Sequence, residues 1–106
     1  MFDSIESFFE GLAIAKLSGK DTYINKKGEI VGQLFDEVNP FSEGLARVKL
    51  QGKYGYINPT GKIVIPLQFY EAQDFKRGRA RVSKKLMGLM PMGGQINPQG
   101  EWIDEY

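Results

Sequence analysis

Two short motifs each occur three times along the 106 residues of this chain. The copies of the first motif align without gaps at residues 2–17, 35–50 and 69–84. The copies of the second motif lie at residues 22–31, 55–64 and 94–103, with about five extra residues, within 86–94, before the third. Gly11, Gly44 and Gly78 of the first motif are separated by 33 and 34 residues. Two linked motifs that recur in register predict an array of like units, each of which buries apolar surface against its neighbours.

Each copy has the residue pattern of antiparallel strands joined by tight turns. In the middle copy, apolar and polar side chains alternate over 45–50, and 54–58 is rich in residues that favour strands. The segment 58–61, Asn-Pro-Thr-Gly, is typical of a turn and predicts a short third strand over 63–66. Because proline has no N–H to donate to a neighbouring strand, we expect Pro66 to end that strand.

These units predict an all-β fold in a single domain spanning residues 1–106. One hairpin buries too little surface to be stable in water, so the three units, about 2–34, 35–68 and 69–106, are expected to stack on each other. We expect three antiparallel hairpin or meander repeats of about 33 residues in a short solenoid-like or partly closed array. The pattern does not distinguish an open ladder from a closed three-fold arrangement. The glycine before each Leu-Ala or Arg-Ala pair predicts a positive φ or a close approach of two backbones.

The repeated residues resemble those of the WG, or KWG, β-repeat family, which is widespread in bacteria. That family repeats F-x-E-G-L-A-x-V, then G-K-W-G-Y-I-D-x-x-G-x-x-V-I-P, then F-D-x-A-x-x-F. This chain reads FSEGLARV (41–48), GKYGYINPTGKIVIP (52–66) and FYEAQDF (69–75). Tyr54 stands where the family has tryptophan, and Arg79 replaces the leucine in the third copy. The resemblance covers nearly the whole chain and implies a recognition or structural unit.

The composition excludes several kinds of active site. The chain has neither Cys nor His, and therefore no thiolate nucleophile, no imidazole base and no disulfide. No stretch approaches the roughly 20 apolar residues of a membrane span, and the N-terminal residues are acidic where a signal peptide is basic. We expect a cytoplasmic protein that binds no cofactor and no metal. If the sequence is a piece of a longer chain, export is the alternative.

Two glutamates recur with the repeat. Glu10 and Glu43 occupy equivalent positions, with Glu6 and Glu37 nearby, and paired carboxylates are what a glycosidase needs. The third copy has Arg77 at that position, and carboxylates that recur with a structural repeat usually bind a turn or a neighbouring backbone N–H. We therefore expect no enzyme, with a carboxylate-based hydrolase as the last alternative.

Positive charge is concentrated in the later part of the chain. Residues 1–43 hold eight acids and four Lys, a net charge of −4, and residues 44–106 hold five acids and ten Lys or Arg, a net charge of +5. The two parts could attract each other, or the cations could form a face suited to a polyanion or an ordinary solvated face that protects strand edges. A charge of +5 is weak for a nucleic-acid binder, so nucleic acid is not the expected partner. The candidate basic face comprises Arg47, Lys49, Arg77, Arg79, Arg81, Lys84 and Lys85.

Two further groups of residues are candidate binding sites. An aromatic platform for a glycan could be formed by rings that would otherwise pack as core, namely Tyr54, Tyr56 and Trp102. An adaptable protein contact, or a cover over an open sheet end, could be formed by the inserted residues Met87, Met90 and Met92. We expect a non-catalytic interaction or scaffold module that binds another protein or a second copy of itself, with glycan binding as the alternative.

Overall fold

The computed structural model describes residues 4–5, 11–84 and 92–105, and every regular element in these ranges is a β-strand. Twelve strands form three antiparallel sheets of four strands each, and neighbours in a sheet are neighbours along the chain. The first sheet contains β1 (Ser4–Ile5), β2 (Leu12–Leu17), β3 (Lys20–Asn25) and β4 (Ile30–Phe35). The second contains β5 (Glu37–Val38), β6 (Ala46–Leu50), β7 (Lys53–Ile57) and β8 (Ile63–Phe69). The third contains β9 (Glu71–Ala72), β10 (Ala80–Lys84), β11 (Met92–Ile96) and β12 (Trp102–Glu105).

One sheet corresponds to one copy of the repeat, which confirms the predicted all-β fold of meander repeats. The sheets stack in chain order, so the second sheet is covered on both faces. One of its faces contributes Ala46, Val48 and Ile57 to a core shared with Tyr23 and Phe35 of the first sheet. Its other face shares a second core with the third sheet, formed by residues that include Tyr56, Ile65, Phe69, Phe75, Ala80 and Val82. The stack measures 43 × 29 × 18 Å, and within the described ranges it closes into no barrel.

A tight turn precedes the strand that begins with Ala46. Ser42 and Leu45 hydrogen-bond to each other across the pair Glu43-Gly44, whose φ angles are 55° and 81°. The same turn recurs in the third copy at Arg77-Gly78, with φ angles of 55° and 79°. Two successive positive φ values are typical of a type I′ turn, which favours glycine. A Cβ at Gly44 would meet no atom within 4 Å, so the predicted positive φ is confirmed and a close approach is not the reason for this glycine.

The turn between the last two strands of each sheet is built on an asparagine. In the second sheet, Asn58 Oδ1 accepts hydrogen bonds from the backbone N–H of Thr60 at 3.0 Å and of Lys62 at 3.1 Å. Asn25 and Asn97 hold the corresponding turns in the same way. An asparagine side chain that satisfies two turn amides explains why this residue recurs, and the predicted turn is confirmed.

Strand β8 continues through Pro66 to Phe69, so the prediction that Pro66 ends this strand is wrong. The pairing of β7 with β8 is irregular at this point, because Tyr56 lies opposite Ile65 whereas Tyr54 lies opposite Phe69. Two extra residues of β8 therefore bulge away from the regular ladder. A bulge is one of the few places where a strand accommodates a residue without an N–H group.

Gly55 lies directly beneath this bulge. A Cβ at position 55 would be 2.6 Å from the carbonyl oxygen of Ile65 and 2.9 Å from the backbone nitrogen of Leu67. The first sheet has Thr22 at the equivalent position, where the hydroxyl donates a hydrogen bond to the carbonyl oxygen of Gln33 at 2.9 Å. The backbone thus approaches β7 too closely for any side chain in the second sheet, whereas the first sheet accommodates one.

Candidate binding face on the third sheet

A tyrosine at the same repeat position joins each sheet to the next. The Tyr56 hydroxyl donates to the carbonyl oxygen of Gln73 at 2.6 Å, and the Tyr23 hydroxyl donates in the same way to Asn39. The two rings are 0% and 1% exposed, and this burial raises the pKa of both hydroxyls well above the ordinary value. The prediction of a binding platform is therefore wrong for Tyr56, because a fully buried ring offers no surface to a ligand.

Alkaline conditions should destabilise the fold through these two tyrosines. In the unfolded chain a tyrosine releases its proton at about pH 10, whereas the buried hydroxyls of the folded chain keep theirs. The contribution of these two groups to the free energy of unfolding is therefore complete below that pH and is lost as the pH rises above it. We expect the free energy of unfolding to fall by about 1.4 kcal/mol per pH unit for each buried tyrosine. Urea unfolding at a series of pH values measures this slope. A Tyr56→Phe variant should show a clearly shallower slope, and an unchanged slope would contradict the assignment.

The carboxylate of Glu43 binds the next turn along the array. Its two oxygens accept hydrogen bonds from the backbone N–H groups of Arg77 at 2.5 Å and Gly78 at 2.9 Å. Glu37 has different partners, since it accepts from the Asn39 side-chain amide at 3.1 Å. The sequence led us to expect that the recurring carboxylate binds a neighbouring backbone N–H and is not catalytic. The contacts of Glu43 agree with that expectation. Glu6 and Glu10 lie outside the described residues.

The side chain of Arg47 in the second sheet contacts residues of the third copy. Its guanidinium donates to the carbonyl oxygen of Ala72 at 2.8 Å and to Asn39 Oδ1 at 3.0 Å, and its Nε lies 3.7 Å from Asp74 Oδ1. The guanidinium carbon also lies 5.6 Å from the centre of the Tyr54 ring. Arg47 therefore ties two units together and is not part of an open basic stripe along the array.

Other members of the candidate groups have separate environments. Lys49 lies 5.3 Å from the centre of the half-buried Tyr54 ring, so that two cations lie close to this one ring. Trp102 is 37% exposed and packs edge-to-face against Phe69, with ring centres 6.3 Å apart. Lys84 is half-buried in β10. Lys85, Met87 and Met90 lie outside the described residues, and Met92 is described only as the first residue of β11.

The remaining cations meet on one face of the third sheet. We call the side of this sheet that faces away from the second sheet the outer face; it carries Lys76, Arg77, Arg79, Arg81 and Gln95, and also Ser83 and Glu71. All four cations are exposed, and Arg79 Nη1 donates to Gln95 Oε1 at 2.8 Å. Among the residues whose side chains the structure describes, no carboxylate lies within ion-pair distance of Lys76, Arg77 or Arg79.

The outer face differs from the corresponding face of the second sheet at the positions whose side chains join the second sheet to the third. Arg79 and Gln95 stand where the second sheet has the buried residues Leu45 and Tyr56. The equivalence follows from the register, because Gln95 pairs with Arg81 as Tyr56 pairs with Arg47. Gln95 was not among the candidate residues, although the alignment of Tyr56-Ile57-Asn58 with Gln95-Ile96-Asn97 carried the signal.

A cavity of about 350 Å³ lies beside β9 and β10 of the third sheet and is lined by residues from both faces of that sheet and by Arg47 of the second sheet. Strand alternation places Arg81 and Ser83 on the outer face, and Glu71 lies opposite Ser83 in β9. The cavity is lined by these residues together with Arg47, Ala72, Gln73, Val82 and Gly93. Its wall carries guanidinium, carboxylate and hydroxyl groups, which suit a polar segment of another molecule more than an apolar ligand.

The described residues contain no group of three or more carboxylate, His or Cys side chains that could hold a metal ion. They also contain no helix of the length and apolar character needed to cross a membrane.

Comparison with known proteins gives one match. A family model described as "WG containing repeat" matches residues 1–20, 22–54 and 54–85. No curated protein and no solved structure matches the chain significantly. The two longer matches have about the length of one repeat, each begins within one copy and ends within the next, and the three matches together cover well over half of the sequence.

Proposed function

This chain belongs to the family of WG-containing repeats, and from that premise we propose that it is a non-catalytic module that binds another protein through the outer face of its third sheet. One observation carries the proposal. The second sheet uses Glu43, Arg47 and Tyr56 for contacts with the third copy. By contrast, Lys76, Arg77 and Arg79, which replace other residue types in the third copy, are exposed on the outer face. Residues that a fold does not need for its own packing are the best candidates for a partner.

The contacts of the recurring carboxylate do not favour catalysis. Glu43 is engaged by the backbone amides of Arg77 and Gly78, and Glu37 accepts hydrogen bonds from Asn39 and, at 3.3 Å, from the Tyr54 hydroxyl. An acid–base pair of a hydrolase instead needs two carboxylates that face one reacting bond. The environments of Glu37 and Glu43 support a structural role.

The aromatic residues do not favour the glycan alternative. A carbohydrate platform needs an accessible ring face, but Tyr56 is buried and the Tyr54 ring lies beside two cations. Trp102 is the remaining candidate and uses part of its surface against Phe69. If glycans were the ligands, Trp102 fluorescence would change on addition of glycan fragments.

The proposal predicts that charge reversal on the outer face abolishes capture of a partner. The immobilised chain should retain a defined set of proteins from an extract of the organism that encodes it. An Arg77→Glu, Arg79→Glu variant should retain at least about tenfold less of that material, because a like-charge contact at an interface costs several kcal/mol. A Lys26→Glu, Lys27→Glu variant, altered on exposed residues of the first sheet, is the matched control. Equal capture by both variants would refute the proposed location.

A further inference from the structure

The second sheet illustrates how a face of this array holds an extended segment. Residues 72–75 begin in β9 of the third sheet and lie against the second sheet, and three of their carbonyl oxygens accept hydrogen bonds from the second sheet. The donors are Arg47 at 2.8 Å, Tyr56 at 2.6 Å and Ser42 at 2.7 Å, and the acceptors are Ala72, Gln73 and Phe75 in that order. The contact therefore engages the backbone of the segment, in addition to the buried side chains of Ala72 and Phe75.

The outer face retains the donors of this arrangement. The positions of Arg47, Tyr56 and Ser42 are occupied in the third copy by Arg81, Gln95 and Lys76. Each of these three side chains carries N–H groups that can donate to a carbonyl oxygen. The outer face thus keeps the chemistry with which the second sheet binds an extended backbone.

The outer face also differs in charge. Glu43, whose carboxylate accepts hydrogen bonds from two backbone N–H groups, is replaced by Arg77, whose side chain can only donate hydrogen bonds. Leu45, which is 8% exposed in the core between two sheets, is replaced by the exposed Arg79. A guanidinium at this place binds carboxylates well, often through two parallel hydrogen bonds.

From these contacts we infer that the outer face binds an extended, acidic segment of a partner protein, laid across the third sheet as residues 72–75 are laid across the second. The inference rests on the proposed function and adds the chemistry of the partner. The carbonyl oxygens of the segment accept from Arg81, Gln95 and Lys76, and its carboxylates pair with Arg77 and Arg79.

A fourth sheet of the same family does not fit this face. Such a sheet would bury Arg79 at the position of Leu45, and an unpaired buried charge is strongly unfavourable. It would also lack the contact that Glu43 makes with the turn of the next unit, because Arg77 stands at that position. The occupant is therefore a segment that brings its own negative charge.

Fluorescence anisotropy with labelled peptides tests the inference. The probe is a peptide about ten residues long, enough to span a strand, in which Glu alternates with Thr so that the carboxylates share one face when it is extended. We expect saturable binding at near-physiological salt, and at least about tenfold weaker binding of the same peptide with Gln in place of Glu. Equal binding of the two peptides, or no binding of either, would overturn the inference. Partner capture from an extract could still succeed in that case, so this failure is distinct from a failure of the proposed function.

Variants of the chain separate the proposed contacts from general charge attraction. Arg77→Gln with Arg79→Gln should weaken binding of the Glu peptide about tenfold, whereas Lys26→Gln with Lys27→Gln, which removes the same charge elsewhere, should change it less than about twofold. Gln95→Leu leaves the charge unchanged and should weaken binding several-fold through the lost donor. If the two double variants behave alike, or if heparin or a single-stranded oligonucleotide binds more tightly than the Glu peptide, the inference is wrong.

Discussion

Replacing Gly55 with valine should lower the free energy of unfolding by about 3 kcal/mol or more, which is a large share of the stability of a domain this size. The atoms that a Cβ would meet at 2.6 and 2.9 Å belong to the backbone of the β8 bulge, not to a flexible side chain. Relief of the overlap therefore requires that the bulge move away from β7, which disturbs Ile65 in the core between the second and third sheets. Urea unfolding followed by circular dichroism measures the loss.

The matched control is Thr22→Val at the equivalent position of the first sheet. It introduces the same side chain where a side chain already exists, and removes only the hydroxyl that donates to Gln33. We expect a loss of about 1 kcal/mol, the usual contribution of one hydrogen bond. A Gly55→Val variant as stable as Thr22→Val would show that the bulge does not press on β7 as described.

Replacing Phe75 with alanine should cost about 3–5 kcal/mol of unfolding free energy. Phe75 is 0% exposed and meets Tyr56 edge-to-face with ring centres 4.9 Å apart, so its truncation leaves a cavity at the joint between the second and third sheets. Phe41→Ala should have a comparable effect at the other joint, because Phe41 packs against Tyr23 at 5.2 Å. Thermal and urea unfolding of the variants measure these losses.

Tyr70→Ala is the control for these truncations, since Tyr70 is 46% exposed and close in the chain to Phe75. Its loss should stay below about 1 kcal/mol, as is usual for surface substitutions. If Phe75→Ala were no more destabilising than Tyr70→Ala, the two cores would not be the source of cohesion between the sheets.

The repeat made the fold predictable, because strand, turn and glycine positions depend on local patterns that occur three times. Alternation over 45–50 correctly separated Ala46 and Val48, which are buried, from Arg47 and Lys49. Pro66 was misjudged because a bulge depends on how β8 pairs with β7, which no residue pattern within β8 reveals. Proline does lack an N–H group for the ladder, but the irregular pairing with β7 allows β8 to continue through Pro66.

The candidate site was predictable in its charges but not in its location. Sequence reasoning grouped Arg47 with Arg79 and Arg81, since all three alternate with buried residues. The structure separates them, because the face that holds Arg47 and Tyr56 is covered by the next unit, whereas the outer face holds the other two. Which face a neighbour covers follows from the stacking order, and a pattern within one unit does not contain that information.

The exchange of Leu45 and Tyr56 for Arg79 and Gln95 also bears on how proteins of this kind can grow. A duplicated middle unit would bring its own tyrosine and glutamate, and so could be inserted between existing units without new residues having to arise. A unit added after the third would find a charged surface where it needs an apolar one. We therefore expect that duplication of an interior unit is tolerated more readily than addition of a like unit against the outer face, so that a few substitutions on one face bear on how such an array lengthens.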